Sequence, residues 1–324
     1  MTPKKKISLK NVLSMALFLL LLGLLSVYVW QNREDMLQML RLSPLTTVIM
    51  LLLGLGGGII NCFYHLAILR TYHIPLSLTD WMGVVSVSNA IAYVLPLRAD
   101  LVFSAAYYKR VKGLAYTKSV SMAAGNILFG VGFSLLQILL SLLCMGFIEG
   151  VWPGLLWGLW LLGSLILSLF VFCALTLKGR LPGFLAKFNL LQKVLEGFTD
   201  LLRSRTLLLQ VLCCLILNNL CQLFLYSLCF SAVGLPIPLY TALFYNSVSW
   251  LIGIVAIVPG NIGIKESVLG TATLLLGSVF QTGVAVSLLQ RAVMLIVHLL
   301  MGVVFSFPVY TRFTHSSKAP SKNS

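Results

Sequence analysis

Long uncharged apolar runs recur along the chain. Six of them, each long enough to cross a hydrocarbon core of about 30 Å as a helix, lie near residues 11–30, 44–69, 119–146, 153–177, 207–230 and 283–309. The stretch 237–280 is also apolar, but Pro259, Lys265 and Glu266 interrupt it. We therefore expect two helices there that meet inside the membrane. The pattern predicts an all-α integral membrane protein with about eight transmembrane helices.

A shorter apolar segment, residues 80–96, has polar side chains in its middle and basic sequence on both sides. A full crossing would place the basic stretch 98–118 on the outer face of the membrane, whereas lysine and arginine are usually enriched in cytoplasmic loops. Entry and return on the cytoplasmic side keeps that stretch inside. The segment therefore favours a re-entrant helix.

Each half of the chain contains one interrupted apolar segment. A Ser-Val-Ser sequence at 86–88 precedes Pro96 and charged residues, and a second at 247–249 precedes Pro259 and charged residues. Interrupted segments at corresponding positions indicate an inverted repeat, with a binding site where the broken helices meet. The alternative is a chance match, since short matches are common in hydrophobic sequence.

Composition and charge support a membrane protein. The chain is 59% hydrophobic and only 10% charged, unlike a soluble globular domain. The net charge is +15, but the basic residues gather in alternate loops: the amino terminus, 70–118, 178–205 and the tail. This alternation is typical of a multi-pass membrane protein and does not indicate nucleic-acid binding. We predict a bacterial inner-membrane protein with both termini in the cytoplasm.

No linker of the kind that separates soluble domains divides the chain. We predict one membrane domain, residues 1–313, with halves at about 1–177 and 207–313, and a disordered cytoplasmic tail at 314–324. The loop 178–206 joins the halves, and its apolar residues recur at helical spacing. This spacing predicts an amphipathic helix on the cytoplasmic surface, either a connector resting on headgroups or a partner-binding helix.

Three charged residues, Lys265, Glu266 and Arg291, lie in otherwise apolar sequence. A lysine or arginine at a helix centre costs roughly 2.5–3.5 kcal/mol on insertion scales, so such residues need partners. Glu266 can pair with Arg291, or with Lys265 and a bound lipid. Together the three carry a formal charge of +1, which one phosphate would balance. The alternative is a helix break held by an internal salt bridge without any ligand.

The residues between the two expected helices favour a tight unwound turn. They are Pro259, Gly260, Asn261 and Gly263. The helix that restarts near Gly263 would direct free backbone N–H groups and its positive dipole end toward the midplane, where they would bind an anion. Arg98 and Asp100, which follow Pro96, are the matching candidates in the first half.

The remaining polar and sulfur-containing residues give weaker indications of a functional site. The seven cysteines and the histidines lack the spacing of metal ligands or of a catalytic triad, so we expect no metal and no cofactor. Asn218, Asn219 and Gln222 lie close together on one predicted helix. They are candidates for hydrogen bonding between helices or, alternatively, for contact with a substrate. The glycines at 54–58 predict close helix packing.

Three segments carry a resemblance to a known family. The sequence Ile-Val-Pro-Gly-Asn-Ile-Gly-Ile-Lys-Glu at 257–266 resembles the Pro-Gly-Gly-x-Gly-x-x-Glu signature of the lysylphosphatidylglycerol synthase transmembrane-region family, the flippase-like domain of multiple peptide resistance factors. Residues 96–99, and Arg291 with Gly302, resemble two further family segments; Asn261 stands where the family has its second glycine. The resemblance implies about eight spans, two re-entrant elements, and translocation or binding of polar-headed lipids.

The leading hypothesis is a flippase-like transporter of anionic or aminoacylated lipids. Lys265, Arg291 and Arg98 would hold the headgroup, while Glu266 orients the basic residues or a cationic part of the ligand. The broken helices would gate access. The alternative is a membrane subunit of a lipid-modifying aminoacyl- or glycosyl-transferase system, although the sequence shows no acid/base or nucleophile constellation of its own. A third hypothesis is an assembly partner that docks cell-envelope enzymes through residues 182–203. Expected partners are a phospholipid, a second copy of the chain or such an enzyme, and no nucleic acid.

Overall fold

The structure, a computed structural model, describes residue 30 and residues 42–72, 74–95, 98–176, 205–254 and 259–315. Within these ranges every regular element is a helix, which confirms the predicted class. The helices are α1 (Pro44–Arg70), α2 (Val84–Val94, preceded by a π-helical turn at Thr79–Gly83), α3 (Ala99–Lys112), α4 (Tyr116–Glu149), α5 (Gly154–Thr176), α6 (Arg205–Ala232), α7 (Leu239–Ile254), α8 (Ile264–Leu275) and α9 (Phe280–His315).

In the part of the chain that the structure describes, five helices are long and apolar enough to cross a membrane: α1, α4, α5, α6 and α9. They match five of the six predicted runs. The side chains of α5 are largely uncovered, among them Leu162 and Leu165. In a bilayer this helix would face lipid, because hydrocarbon covers apolar side chains without cost.

Two predictions lie mostly outside the described residues. The first apolar run, 11–30, is described only at Trp30, and the loop 178–206 only at its last two residues. The predicted tail, residues 314–324, also lies outside the described residues apart from Thr314 and His315, which belong to α9. The Thr314 hydroxyl donates to the carbonyl oxygen of Tyr310 at 3.0 Å, within the last turns of this helix.

Both predicted interruptions are present, and backbone geometry explains where they lie. After α7, a 3₁₀ turn at Pro259–Asn261 precedes α8. Gly260, Asn261 and Gly263 all have positive φ values of 56°, 54° and 84°, which end a right-handed helix. After α2, Leu95 is extended because it precedes a proline, and Arg98 has a φ of 57° before α3 begins.

The two halves repeat one order of elements: a long helix, an interrupted helix and another long helix. This order is α1, α2/α3, α4 in the first half and α6, α7/α8, α9 in the second. The carboxyl end of α1 packs on the amino end of α6, so the two helices run antiparallel. Moreover α2 packs on α9, while α7 packs on α4. This exchange of partners supports the predicted inverted repeat.

Small and hydroxyl-bearing residues allow these pairs to pack closely. A Cβ at Gly302 of α9 would lie 2.7 Å from Ala90 of α2, so only glycine fits there. In the other pair, the Ser247 hydroxyl of α7 donates to Gln137 Oε1 of α4 at 2.9 Å. Gly54 of α1 faces Val297 of α9 at a similarly short distance, 3.1 Å from its added Cβ. The predicted packing role of the α1 glycines is therefore confirmed.

Asp80, a fully buried carboxylate in the π-helical turn before α2, joins this turn to α3 and to the last turn of α9. It accepts hydrogen bonds from Tyr107 at 3.0 Å and from the Ser77 backbone and hydroxyl at 2.7 Å. Lys112 Nζ lies 2.6 Å away and Arg312 Nη1 lies 3.3 Å away. Burial alone raises the pKa of Asp80, but the hydrogen bonds it accepts outweigh burial and lower that pKa to about 2.

Candidate functional site

The predicted pair between Glu266 and Arg291 is formed. Arg291, on α9, places Nε 2.8 Å and Nη2 2.7 Å from Glu266 Oε1. Glu266, on the first turn of α8, is only 1% exposed. A charge buried to this extent is tolerated because an opposite charge and several hydrogen bonds surround it. The pair therefore joins the second interruption to the last helix.

Both members of this pair have their remaining polar groups occupied by the protein. Glu266 Oε2 accepts the backbone N–H of Gly263 at 2.8 Å. Arg291 donates to the carbonyl oxygen of Gly260, and to that of Asn261 at 3.3 Å. The arginine thus satisfies carbonyl groups that the helix break leaves without helical partners. We expected an external anion at the start of α8, but the Glu266 carboxylate itself lies there.

Lys265 does not take part in this pair and instead contacts side chains of α6 and α9. Its Nζ donates to Gln290 Oε1 of α9 at 2.6 Å and lies 5.7 Å from the centre of the Tyr226 ring. Among the salt bridges of the described residues, none includes Lys265. Lys265 is therefore the one member of the three charged residues that no carboxylate of the described residues contacts.

Lys265 lines a central cavity of about 300 Å³ that is bounded by seven helices, α1, α2, α4, α6, α7, α8 and α9. Eight side-chain amides line it: Asn61, Asn89, Asn126, Asn218, Asn219, Gln222, Asn246 and Gln290. Aromatic rings of Tyr64, Tyr93, Tyr226 and Trp250 also contribute. Among the described lining residues, Lys265 is the only lysine or arginine and no carboxylate is present.

The amides of α6 form hydrogen bonds between helices and also line the cavity. Asn218 donates to the carbonyl oxygen of Gly57 in α1 at 2.9 Å, and Asn219 accepts from Asn246 of α7 at 2.6 Å. These bonds confirm the predicted role in packing between helices. The same side chains line the cavity, so their surfaces are also available to a ligand.

His298 of α9 is a lining residue that the sequence analysis set aside. Its side chain is 9% exposed, and its ring lies 5.3 Å from the ring of Tyr93. Its Nδ1 is buried and has no hydrogen-bond partner among the described residues. A buried nitrogen without a partner is costly, and ring atoms of this histidine also line the cavity.

The candidates in the first half lie at the junction of the two interruptions and do not line the cavity. Arg98 Nη2 lies 3.6 Å from Asp100, and Nη1 donates to the carbonyl oxygen of Gly253, at the end of α7, at 3.2 Å. A Cβ at Gly260 would lie 3.6 Å from the carbonyl oxygen of Tyr93. The two interruptions therefore contact each other, as the predicted repeat requires.

Of the nine predicted site residues, Lys265 alone is a lining residue of the cavity. Pro259, Gly260, Asn261 and Gly263 shape the break, where Asn261 Nδ2 also donates to the carbonyl oxygen of Ile252 at 2.9 Å. The sequence analysis missed most of the amides because they occur singly in separate apolar runs. One amide in the middle of each run is the signal that could have identified them, since an amide there needs a polar neighbour.

The family comparison agrees with this architecture. The family model described as the lysylphosphatidylglycerol synthase TM region matches residues 11–302, which is most of the chain. The chain belongs to this family. No curated protein and no solved structure matches it. Membership in the lysylphosphatidylglycerol synthase TM family makes the chain a membrane domain of a kind associated with lipid modification or transport.

Proposed function

We propose that the central cavity binds the polar headgroup of a lipid and that the chain moves this headgroup across the bacterial inner membrane. The observation that carries the proposal is a cavity lined by eight amides and one lysine, inside helices whose outer side chains are apolar. Polar side chains in the interior of a membrane protein are costly and commonly mark the path of a polar substrate. A lipid could keep its acyl chains in hydrocarbon while its headgroup enters this cavity.

Lys265 is the residue that we assign to the headgroup phosphate. The Arg291–Glu266 pair is electrically neutral as a unit and hydrogen-bonded throughout, so it supports the break and leaves no group for a ligand. Lys265 lies next to that pair in sequence, but its ammonium group faces the cavity beside Gln290. One uncompensated positive charge in this cavity favours one negative charge in the ligand.

The junction of the two interruptions is a candidate gate. Tyr93 lines the cavity and belongs to the last turn of α2, beside Gly260 of the second break. Arg98 holds the same junction from the other side through the carbonyl oxygen of Gly253. Movement of the interrupted helices relative to each other would open the cavity, in the manner of transporters built from discontinuous helices.

A transport assay tests the proposal. Proteoliposomes would contain phosphatidylglycerol that carries a fluorophore on one acyl chain. Added dithionite does not cross the membrane, so it quenches only the fluorophores in the outer leaflet. We expect protein-dependent movement of the label between leaflets, with or without an imposed proton gradient. Lys265→Met should slow this movement at least tenfold. Lys109→Met is the matched control, because Lys109 is exposed and lies over the Tyr116 ring, away from the cavity.

Equal rates for Lys265→Met and the wild type would overturn the assignment of Lys265. The absence of any protein-dependent movement under both conditions would overturn transport itself. If native mass spectrometry still detected a bound lipid in that case, the chain would instead be a lipid-binding subunit of a lipid-modifying system.

A further inference from the structure

We infer that the cavity selects a headgroup that carries several hydroxyl groups and a single phosphate, and that it rejects amino-bearing headgroups, including aminoacylated ones. This inference rests on the proposed function, because it names the class of lipid that the same cavity would take. The chemistry of the lining residues, their arrangement along the cavity and its volume carry the inference.

The amides match hydroxyl groups better than they match charges. Each asparagine or glutamine side chain both donates and accepts hydrogen bonds, and so does a hydroxyl group. Asn61 of α1 and Asn89 of α2 line the cavity, and their side chains form no hydrogen bond with another described residue. A polyol would satisfy both side chains.

Aromatic rings supply the second part of this recognition. Tyr93 and Trp250 line the cavity from α2 and α7, and Tyr226 lines it from α6 beside Lys265. A sugar or another polyol has C–H groups between its hydroxyls, and these groups pack favourably against the face of an aromatic ring. Amides together with aromatic rings therefore suit a ligand whose hydroxyls and C–H groups alternate.

Charge explains the rejection of amino-bearing headgroups. The Lys265 ammonium group already takes Gln290 Oε1 as its partner, and the described lining residues provide no carboxylate for a second ammonium group. The Glu266 carboxylate, which is the nearest in sequence to Lys265, is engaged by Arg291 and the Gly263 N–H. Lys265 would also repel a second cation. An aminoacylated lipid would therefore leave its ammonium groups unpaired in this cavity.

The position of Lys265 sets the orientation of the headgroup, and the cavity has room for it. The lining residues of α6 run from Cys214 to Tyr226, which corresponds to about 18 Å along a helix at about 1.5 Å per residue. Lys265 lies at the Tyr226 end, so the phosphate would lie there and the hydroxyls would extend toward Asn218 and Asn126. The cavity has a volume of about 300 Å³. That volume admits a glycerol or one sugar ring.

A binding comparison tests the inference on the full chain purified in detergent. Short-chain phosphatidylglycerol and a short-chain lipid with one hexose on its phosphate are the expected ligands, and they separate a glycerol source from a sugar source. Short-chain phosphatidic acid tests the phosphate alone, while phosphatidylethanolamine and lysylphosphatidylglycerol test amino-bearing headgroups. Native mass spectrometry would measure each affinity. We expect at least one of the two polyol lipids to bind at least tenfold more tightly than the other three.

Variants at Asn61 and Asn89, whose side chains have no hydrogen-bond partner among the described residues, keep this test separate from folding. Asn61→Ala and Asn89→Ala should each reduce the preference for the polyol lipid over phosphatidic acid several-fold, with an unchanged melting temperature. Equal or tighter binding of lysylphosphatidylglycerol or phosphatidylethanolamine would overturn the inference, and so would equal binding of phosphatidic acid. Transport in proteoliposomes without such discrimination would overturn the inference alone, whereas no lipid movement would overturn the proposed transport.

Discussion

Arg291 Nη2 and Glu266 Oε1 lie 2.7 Å apart in the interior of the bundle, and each side chain is also bonded to the backbone of the interrupted segment. These two buried, oppositely charged side chains therefore hold the helix break in place. Lys265, one residue before Glu266, faces the cavity instead. This division of roles places the candidate ligand site beside the break and not within it.

Removal of one member of the buried pair should be strongly destabilising. In Glu266→Gln, Arg291 would keep a buried charge without its partner, and such a change costs about 3–5 kcal/mol. Thermal unfolding in detergent would detect this loss. The double variant Glu266→Gln, Arg291→Met should lose less stability than the sum of the single changes, because it removes both charges.

The matched control for this pair is Asp100→Asn. It breaks the pair with Arg98, whose side chain is 34% exposed, so the expected loss is below about 1 kcal/mol. A loss in Glu266→Gln no greater than in this control would contradict the role given to the buried pair.

The Asp80 cluster predicts a dependence of stability on pH. A carboxyl whose folded-state pKa lies below its ordinary value stabilises the fold above the ordinary pKa, and this contribution disappears as the pH falls through the folded value. For Asp80 the window runs from about 3.8 down to about 2. We expect Asp80→Asn to be less stable than the wild type at pH 7, by about 1.5–3 kcal/mol for the charged hydrogen bonds lost.

The difference between Asp80→Asn and the wild type should then narrow between about pH 4 and pH 2. Thermal unfolding midpoints at several pH values would measure it. Glu149→Gln is the control, since that carboxylate is exposed and accepts a hydrogen bond from Tyr240 at 2.6 Å. A stability difference that stays constant down to pH 2 would contradict the proposed role of the Asp80 charge.

Two glycine-to-alanine substitutions test where helices pack too closely for a side chain. Both add one methyl group, so a difference in stability between them reports on the local packing. A Cβ at Gly283 of α9 would overlap the carbonyl oxygen of Leu269 in α8, and backbone atoms move at a cost. Gly283→Ala should destabilise the protein by about 1–3 kcal/mol. Gly132→Ala should be neutral or slightly stabilising, because its Cβ would meet only Leu167 at 3.8 Å and alanine favours helices. Equal unfolding temperatures for the two variants would contradict this packing.

Much of the fold could be predicted because the membrane imposes simple rules. The spans α1 and α9 follow from the length of their apolar runs, and the interruption before α8 follows from Pro259 and the adjacent charges. The pairing of Glu266 with Arg291 was predictable because two isolated opposite charges in apolar sequence need each other. The Asp80 cluster was not, since Arg312 lies more than 200 positions away and no pattern connects the two.

The cavity was harder to predict than the pair. Its amides lie on six helices, and which face of each helix turns inward depends on how all the helices pack. Asn218 illustrates the difficulty, because its hydrogen bond to Gly57 is typical of packing and its position is typical of a ligand site. The role of His298 could not be predicted, because a single histidine in an apolar run can pack against other helices as readily as it can line a cavity.

The most direct test of the central claim is a cryo-EM map of the full chain in nanodiscs that contain phosphatidylglycerol. The proposed account predicts headgroup density in the central cavity, with the phosphate within about 3 Å of Lys265 Nζ and with Arg291 still bonded to Glu266. Lipid density against a displaced Arg291, or a cavity without any headgroup density, would contradict it.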